Sequence, residues 1–412
     1  MKKLFVLFAV ALLLAGCTEP SATEFTLETT PVIIAKETAK VKPVESNQNL
    51  DRDKPVVTNA KLVAIGDILL HQPVYNDAAT PDGHYDFSPM FRKVKPFLES
   101  ADLAVANQET MIGGKEIGLS SYPMFNSPHE IGDALKEVGI DMVTLANNHT
   151  LDKGEKAIRN ALEYWDNIGM NYTGAFASEE DREDIRTIEK NDITFSFLAY
   201  SYGTNGMPVP EDKPYLINLI DLPLIAADVE KAKKRSDVVV VSMHWGNEYE
   251  GTPNQTQIDL ATELSTMGVD IIIGHHPHVL QPMDWIERAD GSKTFVLYSL
   301  GNFLSAQEGL ERSIGGIGGI EITKTVYQGK TTIELTNPSF IPTYVHNSNR
   351  SNFDIIPMFQ LEESYLTRSQ QHYDHTKEHL RKYTNEVRFV ENLNEVLHKD
   401  LIDLKKRKKI EE

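Results

Sequence analysis

The sequence predicts an α/β domain in which β-sheet is buried between helices. From Lys61 onward, short runs of β-branched and apolar residues alternate with segments whose apolar residues recur three and four positions apart. Residues 129–139 and 154–169 have this helical spacing and end at glycine, as amphipathic helices do. The runs VVVV (238–241) and III (271–273) are continuously apolar, which is typical of strands covered on both faces. Such alternation favours the α/β class.

The first twenty residues, MKKLFVLFAVALLLAGCTEP, have the pattern of a targeting segment. Two lysines precede an apolar run from Leu4 to Leu14, which is shorter than the roughly 20 residues that cross a bilayer. Small residues follow and end at Cys17, so that 14–17 (Leu-Ala-Gly-Cys) resemble a bacterial lipobox. We therefore expect residues 1–16 to be a lipoprotein signal peptide and Cys17 to carry lipid. The protein would then be anchored to the extracytoplasmic face of the cell membrane.

Three segments follow the expected cleavage site. Residues 17–57 are rich in Thr, Glu, Lys, Pro and Ser and poor in large apolar residues, so they are predicted to be a flexible tether. Residues 58–345 contain the alternating strands and helices. Residues 346–412 are strongly charged, and apolar side chains recur at helical intervals from Phe389 to Leu404. This last segment is therefore predicted to be a mostly helical extension.

The chain is acidic overall. It has 41 Lys and Arg against 60 Asp and Glu, a formal net charge of −19, which argues against a protein that binds nucleic acid by neutralising phosphates. A basic run, KKRKK at 405–409, stands apart from this balance. It is either a solvated helix end, where cations are favourable, or a contact for anionic lipid or an anionic polymer.

Polar side chains follow five of the predicted strands. They are Asp67; Asn107 and Glu109; Asn147, Asn148 and His149; His244 and Glu248; and His275, His276 and His278. Taken singly, such residues are ordinary caps, turn formers or hydrogen-bonded core histidines. Ligands bind beyond the carboxyl ends of strands in an open α/β sheet, so together these groups predict a site there. Imidazole, carboxylate and amide oxygen suit a divalent ion such as Mn, Zn or Fe(II).

The three histidines of GHHPH (274–278) are not expected to be equivalent. Side chains alternate along a strand, so His276 and His278 are predicted to share one face. His275 is predicted to point the opposite way, away from the metal ligands.

Six motifs in order resemble those of a known family. They are GDILLH, NQETMIGG, LANNHTLDKG, SMHWGNEYE, GHHPHVLQ and SLGNF, between about Leu62 and Phe303. The series resembles the CapA/PgsA family of bacterial poly-γ-glutamate capsule synthesis proteins, which in turn looks like a branch of the calcineurin-like metallophosphoesterases. The resemblance implies a four-layer α/β/β/α sandwich and a metal site. It also implies an anionic polymer such as poly-γ-glutamate, and membrane synthase subunits, as partners.

The resemblance also assigns roles to individual residues. By motif position the metal ligands would be Asp67, Glu109, Asn148, His244, His276 and His278. His149 would be the acid that protonates a leaving group. The Asp-x-His pattern of the metallophosphoesterases is broken, because Leu69 stands where a histidine ligand is expected, unless His71 replaces it. The ligand set is enough for one ion, whereas two ions need a bridging carboxylate, for which Glu109 is the candidate.

Other polar residues would surround and orient these ligands. They are His71, Asn107, Asn147, Glu248, His275 and Asn302. Asn302 either lines the site or merely closes a turn, since Gly-Asn pairs form turns on their own.

Three functions remain open from the sequence. The first is a surface-anchored protein of poly-γ-glutamate or capsule biosynthesis or export. The second is a metal-dependent hydrolase of phosphoester or amide bonds, in which metal-bound water attacks and His149 protonates the leaving group. The third is a non-catalytic scaffold that keeps the fold, which would explain the missing histidine at Leu69. The completeness of the ligand set distinguishes the last two.

Overall fold

The computed structural model describes residues 54–393, which form two β-sheets packed face to face with helices on their outer faces. This is the four-layer α/β/β/α sandwich predicted from the sequence. The signal peptide, Cys17 and most of the tether lie outside the described residues, as does the basic run at 405–409. No helix within 54–393 is long and apolar enough to cross a membrane.

The strands have the following bounds: β1 (Val56–Leu69), β2 (Leu103–Gln108), β3 (Met142–Thr144), β4 (Asn171–Thr173), β5 (Arg186–Lys190), β6 (Ile193–Ser201), β7 (Val238–His244), β8 (Ile271–His275), β9 (Leu280–Glu287), β10 (Lys293–Leu300), β11 (Asn302–Ser305), β12 (Ile314–Tyr327), β13 (Lys330–Ser348), β14 (Ser351–Pro357) and β15 (Arg388–Phe389). The α-helices are α1 (Gln72–Asp77), α2 (Ser88–Phe91), α3 (Lys95–Leu98), α4 (Glu130–Glu137), α5 (Gly154–Ile168), α6 (Glu179–Glu183), α7 (Leu222–Lys233), α8 (Gln255–Met267) and α9 (Ser369–Leu380). Short 3-10 helices span Lys115–Ile117, Pro214–Leu216, Glu311–Ser313 and Met358–Gln360.

The first sheet has the strand order β14-β13-β12-β1-β2-β3-β4, with β11 paired to β1 and β15 to β13. The second has the order β5-β6-β7-β8-β10-β9. Strands β1 to β4 run parallel, as do β6, β7, β8 and β10. The carboxyl ends of β1, β2 and β3 therefore meet at one edge of the first sheet, and those of β7 and β8 at one edge of the second.

The core explains why some strands are apolar without interruption. In β7, Val238 and Val240 pack in the cluster between the two sheets, while Val239 and Val241 pack in the cluster beneath the outer helices. In β1, Leu62 likewise faces the other sheet and Val63 faces the helices. Both faces of these strands are buried, and each valine side chain contributes about 1.5–3 kcal/mol when fully buried.

Both ends of the folded region differ from the expected boundaries. Strand β1 begins at Val56, inside the predicted tether. After residue 345 the chain does not simply become helical, because β14 and β15 pair with β13 and extend the first sheet. Its one described α-helix is α9. A helix was expected from Phe389 onward, but Phe389 belongs to β15. The part of that expected helix from residue 394 onward lies outside the described residues. Side-chain spacing could not reveal this pairing with a distant strand.

Candidate metal centre

A close approach between the chain at Gly66 and the chain at Gly301 positions Asp67, the first acidic residue of the site. A Cβ added to Gly66 would lie 2.0 Å from the carbonyl oxygen of Gly301, so no other residue fits here without moving the backbone. This approach brings β11 beside the end of β1, with Asp67 opposite Asn302. Asp67 is completely buried at this point.

Three side chains surround the Asp67 carboxylate. Asn107 donates to its Oδ1 at 2.9 Å, and His278 Nδ1 lies 3.0 Å from Oδ2. His275 Nδ1 lies 3.2 Å from Oδ1. Burial raises the pKa of Asp67, but hydrogen bonds and positive charge from His275 and His278 outweigh it, so the pKa falls well below the ordinary value. Asp67 is therefore a carboxylate at neutral pH.

Glu109 lies at the centre of the cluster. Its Oε1 is 3.6 Å from Nε2 of both His244 and His278. Among residues 54–393, neither of its carboxylate oxygens has a hydrogen-bond partner, although both are buried. Burial, together with the charge of Asp67, raises its pKa well above the ordinary value against the opposing effect of His278. A buried carboxyl without a partner is costly, and a bound cation would supply one.

His244 and His276 complete the opposite side of the cluster. His244 Nε2 lies 2.8 Å from Asn148 Oδ1, and its ring centroid is 4.8 Å from that of His276. Burial lowers the pKa of His244 well below the ordinary value, and burial together with His278 lowers the pKa of His276 to about 3. Both rings are therefore neutral at pH 7, the state in which imidazole binds a metal.

The backbone at 275–278 does not follow the predicted alternation. Strand β8 ends at His275, and His276 and His278 both adopt positive φ angles, 96° and 58°. Strand periodicity therefore does not apply beyond His275. The prediction that His275 points away from the ligands is wrong, since it contacts Asp67. His276 and His278 still converge, but through a turn of unusual backbone conformation.

His149 belongs to a separate pair beside this cluster. Its Nδ1 lies 2.7 Å from Oδ2 of Asp152, which also accepts from the backbone N–H of Phe125 at 2.6 Å. The Phe125 ring meets His149 edge-on at 4.7 Å. Sequence reasoning missed Asp152, although its spacing of three residues from His149 was a usable signal. With Nδ1 engaged, Nε2 is the nitrogen of His149 left for proton transfer.

The remaining predicted residues lie around the cluster in different roles. Asn147 shapes the turn, since its Oδ1 accepts from the backbone N–H of His149.

His71 lies on the same side as His149. Its Nδ1 is 3.1 Å from the Leu69 carbonyl oxygen, and its ring packs on Phe125. Burial lowers the pKa of His71 to about 4. Asn302 donates to Gln307 and to the Arg312 carbonyl oxygen. Glu248 is exposed.

Two further side chains contact the ligands without having been predicted. The Tyr202 ring lies 4.6 Å from the His276 ring, and Asn205 accepts from the Asn148 amide at 3.2 Å. Both follow β6, where no charged or histidine residue marks the strand end.

The residues present fit a divalent metal ion. Ligand atoms of Glu109, His276 and His278 all lie within 4.8 Å of one another and are buried. His244, Asn148 and Asp67 adjoin them. Imidazole, carboxylate and amide oxygen together suit Zn, Mn or Fe(II).

The fold and this cluster define an α/β/β/α protein with a candidate metal centre between its two sheets. Residues 61–307, more than half of the chain, match the family described as bacterial capsule synthesis protein PGA_cap. The chain belongs to that family, which confirms the resemblance carried by the six motifs.

Named relatives and a solved structure show similarity over comparable lengths. The PGA biosynthesis protein CapA of Bacillus subtilis (strain 168) is 31% identical over 253 residues, 59% of this chain and 62% of that protein. The capsule biosynthesis protein CapA of Bacillus anthracis is 29% identical over 284 residues, 66% of this chain and 64% of that protein. The chain thus spans less than two thirds of the length of both. A hypothetical protein from Thermus thermophilus is similar in structure, with a TM-score of 0.39 and 15% identity, over 68% of this chain and 99% of that one.

Proposed function

We propose that this protein serves poly-γ-glutamate capsule production and uses a divalent metal held by Glu109, His276 and His278. Family membership and the names of the two Bacillus relatives support the pathway. The observation that carries the metal centre is the Glu109 carboxyl, which is buried among imidazoles with no hydrogen-bond partner in the described part of the chain. Asp67, Asn148 and His244 would complete the ligand set.

The proposal includes a place for this activity, the outer face of the cell membrane. Its support is the lipobox-like sequence ending at Cys17. Two variants test it in the source cell, Cys17→Ala and, as the matched control, Ser21→Ala within the same segment. We expect Cys17→Ala to lose membrane association and Ser21→Ala to keep it. Equal retention of both variants on membranes would refute a lipid anchor at Cys17.

A hydrolytic function is favoured over a scaffold by one observation, the His149–Asp152 pair. The metal, when bound, supplies Lewis-acid polarisation of the scissile group. Asp152 fixes the His149 ring through Nδ1. As water attacks the carbonyl carbon or the phosphorus and the C–N or P–O bond to the leaving group breaks, protonated Nε2 gives its proton to the leaving nitrogen or oxygen, and the proton that water releases restores it. Asn107 and His275 hold Asp67 in place.

The test begins with the metal content of full-length protein purified in detergent without chelator, for the wild type and Glu109→Gln. Hydrolysis of γ-glutamyl oligomers and p-nitrophenyl phosphoesters is then compared between the wild type and His149→Ala. We expect metal in the wild type and not in Glu109→Gln, and turnover that His149→Ala lowers by about 100-fold or more. Metal without turnover of any substrate would favour the scaffold. Absence of metal after addition of Mn or Zn would refute the metal centre.

A further inference from the structure

A pocket of about 420 Å³ lies directly beside the metal centre, on the side of helix α9. Its floor includes Val279 and Leu280, the two residues that follow His278. Tyr249 lines the pocket on one side, and its ring centroid lies 6.2 Å from that of His278 on the other. The half-exposed Tyr249 therefore lies between the pocket and a predicted metal ligand.

The pocket has an apolar floor and polar edges. Leu280, Leu310 and Ile314 supply the apolar surface. His372, His375 and His379 line one edge, spaced three and four residues apart along a single face of α9. His379 Nε2 lies 3.0 Å from the Leu280 carbonyl oxygen, which fixes α9 against β9. Glu311 also lines the pocket and contributes one negative charge.

Arg312 adds a positive charge beside Tyr249, one of the residues that line the pocket. Its guanidinium lies over the Tyr249 ring, 4.9 Å from the centroid, and within residues 54–393 it forms no ion pair. Its backbone carbonyl accepts from Asn302, which pairs with Asp67 across β11 and β1. An arginine held by an aromatic ring and not by a carboxylate is available for an anionic ligand.

We propose that this pocket binds a segment of γ-linked glutamate chain next to the unit at the metal centre. A γ-glutamyl unit carries a free carboxylate, two methylene groups and an amide. The methylenes match the apolar floor, and the carboxylates match Arg312 and the imidazoles of His372 and His375. Arg312 and α9 lie beyond residue 307, where the family match ends, so this contact belongs to the C-terminal part of the chain. The inference rests on the proposed polymer.

The test measures binding of a fluorescein-labelled γ-linked hexaglutamate to full-length protein by fluorescence anisotropy, with EDTA and again with Mn²⁺. Arg312→Gln removes the charge. Gly251→Phe fills the pocket without changing charge, since Gly251 has no positive φ and its added Cβ would lie 3.7 Å from the His379 ring. We expect each variant to weaken binding by about tenfold or more under both conditions. The matched control is Arg92→Gln, an exposed arginine on the C-terminal side of α2, which should bind as the wild type does.

The outcomes separate this inference from the proposed function. If Arg312→Gln and Gly251→Phe both bind the labelled chain as tightly as the wild type does, the pocket is not its binding site. The proposed polymer is not affected by that result. Binding lost equally in Arg92→Gln would show a general charge effect and would also overturn the pocket. A wild-type protein that binds no γ-glutamyl chain, with or without Mn²⁺, would overturn both.

Discussion

Asp152 Oδ2 receives two donors at once, the imidazole Nδ1 of His149 at 2.7 Å and the backbone N–H of Phe125 at 2.6 Å. The carboxylate thus fixes the ring and ties it to the loop before α4. His149 and Asp152 are both buried, so the interaction is poorly screened by water. This arrangement gives His149 one committed nitrogen and one free nitrogen.

Substitution Asp152→Asn should lower hydrolysis without removing metal. The amide keeps an acceptor for Phe125 but loses the negative charge that faces the His149 ring. We expect kcat to fall by about 10- to 100-fold while KM and metal content stay near wild-type values. Steady-state kinetics and elemental analysis of the same sample provide the measurement. A matching loss of metal would instead make Asp152 part of the metal site.

Substitution Glu109→Gln should abolish metal binding yet leave the metal-free protein as stable as the wild type. Burial opposes ionisation of Glu109 and raises its pKa, which offsets much of what its charge gains from His278, so a neutral amide of the same shape costs little in the metal-free protein. Thermal unfolding in EDTA and in Mn²⁺ measures both effects. The wild type should gain stability from Mn²⁺ and the variant should not. A large loss of stability in EDTA would mean that Glu109 has a structural partner.

Alanine substitutions at His275 and His276 should have unequal effects. His276 groups with Glu109 and His278, so His276→Ala should remove most of the bound metal. His275 contacts Asp67 and orients it, so His275→Ala should weaken metal affinity by about 10- to 100-fold without abolishing binding. Calorimetric titration with Mn²⁺ measures the affinity of each variant and distinguishes the two effects. Full retention of affinity in His275→Ala would show that its contact with Asp67 is dispensable.

Metal affinity should rise with pH between 7 and 9. Burial lowers the pKa of His278, but Glu109 and Asp67 outweigh burial and raise the pKa to about 9. Below pH 9 a metal ion must therefore displace a proton from His278, at a penalty of up to about tenfold in affinity per pH unit for each proton released. Calorimetry at pH 7 in two buffers of different ionisation enthalpy counts the protons. Affinity that is flat from pH 7 to 9 would contradict this assignment.

The same shift sets the pH dependence of the metal-free protein. Folded His278 holds its proton more tightly than the unfolded chain does, so its contribution to stability is complete below about pH 6.5 and is lost as the pH rises through about 9. Melting temperature in EDTA should fall over this range. A His278→Gln variant should show a smaller fall.

The polar residues at the strand ends could be predicted because an apolar run and the residue that follows it are visible in the local sequence. Asp67, Asn148 and His244 were found in this way. The turn at 276–278 could not be predicted, because strand periodicity gives no sign of the positive φ angles at His276 and His278. Tyr202 was missed for a related reason, because its contact with His276 forms only after the sheets have packed. Asp152 is a different case, since it lies only three residues from His149 and this spacing was a usable signal.

Strand β1 joins two distant points of the molecule. The described chain enters the sheet near Val56, and Asp67 lies eleven residues further along the same strand, about 35 Å away at the usual rise per residue. A surface attached to the chain before Val56 is therefore linked to the end of the strand that is far from the metal cluster. Beads or sensor chips that capture the protein through its N-terminal segment should leave the cluster open to soluble ligand.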